Sequence, residues 1–283
     1  MNRSLCTILI LTLFIGGREL FAQNRLSYGF KAGLNYNTFN GPLDEAESYD
    51  RGTGFHIGVI FKYALTDIFG LKGEFAYTQR GGKYSYDGSS FFLVQRDPNP
   101  ILVTGNRNMT VNISNNYLDF PLLAYGKFGR FEINAGISIS LLAGSVGAGQ
   151  LKFTGTSPVV NEFNLNLDYR FLGDEAREAS QFGTQQIRIS NEQVSIPTQV
   201  GAYYEYDTKD GNLFRFLELG YIAGLNFYLN EGLYLGVRGN FGLLDVTRSQ
   251  MDRSFSSFSG NVPMLRNDKD TQISYQLSLG FSF

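Results

Sequence analysis

One cysteine, one histidine and no tryptophan occur among the 283 residues, and only 18% of the chain is charged. The lone Cys6 lies ahead of the apolar run Ile8–Ile15, so no disulfide framework, thiolate metal site or cysteine nucleophile remains for the body of the chain. Its position also rules it out as a lipidated cysteine at a lipoprotein cleavage site. A single histidine argues against zinc, which takes three or more N, S or O ligands. No apolar run reaches the 18 or more residues of a membrane helix. A net charge of −2 without a basic block leaves no electrostatic footprint for nucleic acid. What is abundant is aromatic and small: 25 Phe, 17 Tyr and 33 Gly, within 43% hydrophobic residues. That is enough apolar surface to offset the ordering entropy of a packed fold.

Arg3 followed by the apolar run Ile8–Ile15 has the pattern of a signal peptide, predicting an exported chain with residues 1–22 removed after Ala22 and a body spanning 23–283. Within that body, strict alternation recurs. In Phe131–Leu141 every odd position is apolar, whereas Glu132, Asn134, Gly136, Ser138 and Ser140 fill the even ones. At the C-terminus Ile273, Tyr275, Leu277, Leu279, Phe281 and Phe283 alternate with polar or tiny residues. Leu26–Tyr36, Phe55–Tyr63, Leu71–Arg80, Leu118–Lys127, Leu217–Tyr228 and Leu233–Leu243 read the same way. Period two with one greasy face is the mark of a two-faced strand.

These segments predict an all-β chain, an antiparallel up-and-down transmembrane β-barrel of eight strands. Short links near residues 64–67, 128–129 and 229–232 alternate with long ones at about 38–53, 83–114, 144–212 and 249–270. Short turns at one end and long loops at the other are the pattern of an outer-membrane barrel, with the long loops extracellular. Tyr63, Phe69, Phe131, Phe227 and Phe283 fall on the apolar face near the short turns, where an aromatic girdle belongs. Phe163–Phe171 also alternates and 186–206 is rich in β-formers, so ten strands is the alternative to eight. The expected surroundings are outer-membrane lipid and, at the aromatic end Phe283, the barrel-insertion machinery.

Parity places Lys31, Lys62, Lys72, Arg80, Lys127 and Arg238 on the inward face with Glu74, Asp119, Glu132 and Glu218. An eight-stranded barrel is only wide enough for side chains to fill. Unpaired buried charge is costly, so these groups are expected to pair as a structural plug rather than an ion path. His56 also points inward and is expected to be a hydrogen-bonded lumen residue, the rival reading being a general base. Gly144–Gly149 lacks the Lys-Ser/Thr of a phosphate loop and reads as a flexible strand exit. Asp207–Asn212 lacks the spacing and closing Glu of a calcium loop and reads as a polar hairpin turn. Asp44, Glu45, Glu47 and Asp50 read as a solvated acidic loop. No catalytic, cofactor or metal site is expected.

Tyr28–Tyr36, Gly54–Tyr63, Leu71–Gly81, Tyr117–Leu123 and the closing Leu277–Phe283, taken in order, resemble the PorT-like β-barrel family of the Bacteroidetes outer membrane. The resemblance covers nearly all the expected barrel strands and none of the long loops. It implies an outer-membrane barrel and, for the PorT-type members, an accessory role with components of the type IX secretion system. The leading expectation is therefore a non-enzymatic structural or accessory barrel. A barrel hydrolase or lipid-modifying enzyme using His56, and a narrow channel, are the alternatives.

Overall fold

A computed structural model describes residues 25–96, 99–180, 183–259 and 262–283. The expected signal segment, Cys6 included, lies outside the described residues. In chain order the strands are β1 (Leu26–Asn40), β2 (Glu47–Ala64), β3 (Phe69–Val94), β4 (Ile101–Phe128), β5 (Phe131–Ser157), β6 (Val159–Arg170), β7 (Thr184–Ile189), β8 (Glu192–Pro197) and β9 (Gln199–Val200). They continue with β10 (Leu217–Tyr228), β11 (Leu233–Gly242), β12 (Arg253–Ser259), β13 (Val262–Leu265) and β14 (Thr271–Ser282).

Eight of these close a ring: β1–β2–β3–β4–β5–β10–β11–β14 and back to β1, every pair antiparallel. The seam between β5 and β10 runs from Phe131 opposite Phe227 to Leu141 opposite Leu217. This pairing excludes the ten-strand alternative, because no edge of β5 is left within the barrel for another hairpin. The final seam joins β1 to β14 from Gly29 opposite Ser282 to Asn40 opposite Thr271. Tyr28 and Phe283 extend it by exchanging backbone hydrogen bonds of 3.0 and 2.8 Å. Closure leaves no free edge among the eight ring strands, which the apolar phase of a membrane requires.

The tight turn between β4 and β5 depends on Gly129, whose φ of +61° is the left-handed region that glycine occupies without steric penalty. Close approach also decides Gly280, where a Cβ would meet the ring of Tyr234 at 2.2 Å.

Around the ring the outward residues are apolar and exposed, among them Phe30, Leu34, Phe55, Ile57, Phe75, Leu122, Ile133, Leu235 and Leu277. Aromatic pairs gather by the short turns, Phe69 with Phe128 and Phe131 with Phe227, at ring separations of 6.1 and 5.1 Å. The inward residues are buried and mostly polar, with Ile60, Tyr228 and Tyr234 forming a small apolar patch among them. This reversal of the soluble pattern fits a wall solvated by hydrocarbon.

Strands β3, β4 and β5 do not end where the expected loops begin. The β3–β4 ladder continues to Val94 opposite Ile101, and the β4–β5 ladder to Thr104 opposite Ser157. β6 adds to β5, the β7–β8 hairpin follows, and β9 pairs with β6 in parallel. The long connections thus build a folded cap on the barrel.

Along β4 the outward row changes from Leu122, Phe120 and Leu118 to Ser114, Asn112, Thr110 and Asn108, while the inward row changes from Asp119 to Val111 and Met109. Polarity inverts with no change of parity. In β5 the same inversion is accompanied by a bulge, since Asn116 pairs with Gly144 but Tyr117 with Leu142, leaving Ala143 unopposed. Beyond it Leu151 and Phe153 point inward and Gln150, Lys152 and Thr154 outward.

Two apolar clusters fill the cap. The one nearer the barrel contains Phe39, Tyr117, Leu142, Phe171, Phe214 and Val246. The larger, outer one includes Tyr86, Phe92, Met109, Val111, Leu151, Phe153, Phe163, Leu165, Ile187 and Ile196.

Candidate functional site

Inward parity brings nine of the ten charged side chains expected in the lumen into three tiers. Nearest the short turns, Glu132 accepts from Lys62 at 2.6 Å, Lys72 at 3.1 Å, Asn226 at 2.9 Å and Tyr228 at 2.9 Å. In the middle, Glu74 pairs with Lys31, with Arg238 at 2.8 Å and with Lys72 at 3.7 Å. In the tier below the cap, Arg80 pairs with Asp119 and, at 3.1 Å each, with Glu218 and the Ser140 hydroxyl. Each carboxylate has at least one cation, and Glu132 is fully buried.

Lys127 is the exception. It faces the same interior but makes no ion pair among the described residues, its ammonium lying 4.3 Å from the centre of the Tyr228 ring. The register sets Lys127 opposite Glu132, yet Glu132 is taken by Lys62 and Lys72. Asp119 and Glu132, on neighbouring strands, serve different tiers.

The tier nearest the short turns opens on a cavity of about 450 Å³ beside Lys62, Lys127 and Glu132, and the lumen narrows above it. The void bordered by Lys31, Lys72, Glu74 and Arg238 is about 10 Å³, at the lower limit of what admits one water. His56 is 1% exposed, with Nδ1 2.7 Å from Asn35 Oδ1 and Nε2 2.9 Å from Ser278 Oγ. Arg80 closes the polar column by stacking on Tyr117 at 4.8 Å, and Tyr117 belongs to the apolar cluster above.

The cap contains charged groups that sequence reading did not find. Arg107, 1% exposed, directs its Nη2 to both Glu205 oxygens at 2.8 and 2.9 Å and to the Phe91 carbonyl at 2.6 Å. Arg266 pairs with Glu47 at 2.7 Å and with Asp268. Asp252, Asp268 and Asp270 converge, each offering an oxygen within 4.8 Å of the others. Burial raises the Asp252 carboxyl to about 8 even against the nearby Arg266, with the charges of Asp270 and Asp268 adding to the rise. Burial and the Asp268 charge raise Asp270 to about 6. Desolvation disfavours the charged form of a carboxyl, and neighbouring like charge does the same.

Three local expectations are corrected. Gly144–Gly149 is not a strand exit but the interior of β5, with Gly147 opposite Ile113 and Gly149 opposite Val111. Asp207–Asn212 is a bent connection rather than a hairpin, with Asp207 held by Arg177 at 2.9 Å. The first acidic loop is not merely solvated: Glu47 is buried against Arg266 and Tyr84, and Asp44 accepts from Ser254 at 2.6 Å and Ser256 at 3.1 Å. Their partners lie in other loops, so local charge density gave no sign of them.

A closed ring of eight antiparallel strands, apolar outside and charged inside, defines an outer-membrane β-barrel set in membrane lipid. The family described as outer membrane protein beta-barrel domain matches residues 21–248, and the chain belongs to it. No curated protein matches the sequence.

Among solved structures, the chain is similar to Ail, the attachment invasion locus protein of Yersinia pestis. Identity is 12%, the TM-score 0.33, and coverage 92% of this chain and 99% of that one. It is also similar to OprG from Pseudomonas aeruginosa, with 10% identity, a TM-score of 0.32, and 91% and 95% coverage. The protease OmpT from Escherichia coli gives 6% identity, a TM-score of 0.32, and 93% and 98% coverage. The family assignment rests on the sequence match and the ring of strands.

Proposed function

We propose that this protein is a non-enzymatic, non-conducting outer-membrane barrel whose plugged lumen anchors a folded extracellular cap, and that it acts as an accessory component in protein secretion. The observation that carries the reading is the filled lumen. Three tiers of ion pairs cross the lumen and the void among the middle tier's charges is about 10 Å³, which supports a lumen closed to ions. The occupied nitrogens of His56, deep in the lumen, support the non-enzymatic reading, because a general base needs a free lone pair within reach of substrate. The type IX secretion role rests on the resemblance of the barrel strands to PorT-like proteins. Insertion by the barrel-assembly machinery, reading the aromatic terminus at Phe283, belongs to the same proposal.

Affinity capture of the full chain from detergent-solubilised outer membranes, paired with planar-bilayer recording, tests it. The expected result is co-purification of secretion-system components and a silent bilayer. Stepwise conductance would contradict the plugged barrel. Capture of the barrel without secretion components would contradict the accessory role.

A further inference from the structure

Between the two apolar clusters of the cap lies a cavity of about 140 Å³. Its walls are largely aromatic and aliphatic, with Phe39, Phe171 and Phe214 on the barrel side and Phe92, Met109 and Val111 on the other. An apolar cavity of about this size, roughly 150 Å³, accepts a benzene ring. Side chains of close-packed interiors leave few voids of these dimensions, and each weakens its lining by the dispersion contacts it forgoes.

Polar groups also reach this space. Arg107 and Arg253 line it, and the Nε of each is buried without a hydrogen-bond partner. The rest of each guanidinium is fixed: Arg107 by Glu205 and the Phe255 ring at 4.4 Å, Arg253 by the Glu205 carbonyl at 3.0 Å and the Tyr206 ring at 3.5 Å. Two held donors that lack an acceptor carry a desolvation cost that a guest oxygen would remove. Carboxylates of Glu47 and Glu205 border the same space, so an anion would meet like charge, and a cation would meet the arginines. The chemistry selects an uncharged guest.

We infer that the cap holds a binding site for a small uncharged aromatic molecule carrying one oxygen acceptor, phenol-like in shape and polarity, with the ring among the phenylalanines and the oxygen accepting from the Arg107 or Arg253 Nε. This site is independent of the secretion role, since it requires only the folded cap.

Methionine provides the reporters. Met109 and Met251 line the cavity, whereas Met264 is 51% exposed in the β12–β13 hairpin. Full-length protein carrying 13C-methyl methionine, in lipid nanodiscs, would be titrated with 4-methylphenol, toluene and 4-methylbenzoate. The expected result is a saturable shift of the Met109 and Met251 methyl signals by 4-methylphenol with Met264 unmoved. Toluene should bind about tenfold more weakly, the worth of one hydrogen bond, and the benzoate should give no saturable shift. The filling variants Ala202→Leu and Ile113→Phe, at two separate points of the lining, should each abolish the response while the free protein keeps its dispersed spectrum. Absence of saturable shifts at Met109 and Met251, a parallel shift of Met264, or full binding by both filled variants would overturn the site. Toluene binding as tightly as 4-methylphenol would overturn the role of the arginine donors.

Discussion

The lower and upper halves of β4 share one strand, one parity and one continuous ladder with β3, yet they are solvated in opposite ways. Below Tyr117 the outward row is Leu118, Phe120 and Leu122 and the inward row carries Asp119; above it the outward row is asparagine, serine and threonine and the inward row is Ile113, Val111 and Met109. Backbone geometry is therefore indifferent to which face is apolar. What sets the face is the medium outside, hydrocarbon for the barrel and water for the cap. The energetic consequences differ accordingly: the barrel interior depends on matched charge, and the cap interior on close apolar packing.

The largest expected effect separates closure from cap. Deleting Ser282 and Phe283 removes the end of the β1–β14 seam and the backbone exchange with Tyr28. Unpaired backbone groups in lipid cost several kcal/mol each. Loss of the heat-modifiable folded band and depletion from the outer membrane are expected, whereas deleting Ser190 and Asn191, the turn between β7 and β8, should leave insertion intact. A truncated chain that inserts like the parent would break the assignment of β14 as the closing strand.

Next in size are the two interiors. Glu132→Gln leaves Lys62 and Lys72 without their shared partner, and removing one member of a buried pair costs about 3–5 kcal/mol. Phe153→Ala, at a position with no exposure and packed against Phe92 and Phe163, costs a similar 3–5 kcal/mol by cavity formation. The readouts differ: Glu132→Gln should lower the unfolding midpoint of the barrel in detergent, and Phe153→Ala should open the cap to protease while barrel mobility on gels is kept. Equal damage to both halves by either variant would mean that they do not fold as distinct interiors.

A smaller effect is confined to the cap. Asp252 and Asp270 have carboxyl groups raised in the folded state to about 8 and about 6. A carboxyl with a raised folded pKa binds its proton more tightly when folded. Its stabilisation is therefore complete below the ordinary Asp value near 3.9 and is lost as pH rises through the raised values. Facing these groups are Arg266, Asp268, Asp245 and Thr247, with Glu47 on the far side of Arg266. Protease resistance of the cap should fall between pH 5 and pH 9, and Asp252→Asn should flatten that dependence. An unchanged slope in Asp252→Asn would contradict the assignment.

The smallest change is expected at Arg96–Glu192, a pair whose side chains are 49% and 69% exposed. Such surface pairs are worth at most about 1 kcal/mol. Glu192→Gln should therefore leave both unfolding transitions in place, giving a baseline against which Glu132→Gln is judged.

The ring was legible because each membrane strand announces itself by alternation with a greasy outer face, and parity alone then sorts Lys31, Glu74, Arg80, Glu132 and the rest inward. His56 followed from the same parity. The cap was less legible for a physical reason. Val111, Met109 and Arg107 continue the inward row of β4, but the sign of the pattern reverses, so a search for lipid-facing apolar residues stops near Leu118. Phe163, Leu165 and Leu167 show their alternation, yet sequence offers nothing to say whether β6 joins the ring or only β5 above it. The cap's ion pairs were out of reach altogether, because Arg107 meets Glu205 from 98 residues away and Arg266 meets Glu47 from 219.

Inversion of polarity along one strand is tested most directly by mapping its outward row. Single cysteines at Leu122, Phe120, Leu118, Ser114, Asn112 and Asn108, in protein with Cys6 replaced by serine and reconstituted in lipid bilayers, would be spin-labelled and their collisions with oxygen and a water-soluble nickel chelate compared. Oxygen, concentrated in the hydrocarbon, should dominate at 118, 120 and 122, and the chelate should take over at 114 and stay dominant through 108. Oxygen dominance persisting to Asn108, or chelate access at Phe120, would contradict a bilayer boundary between the two halves of β4.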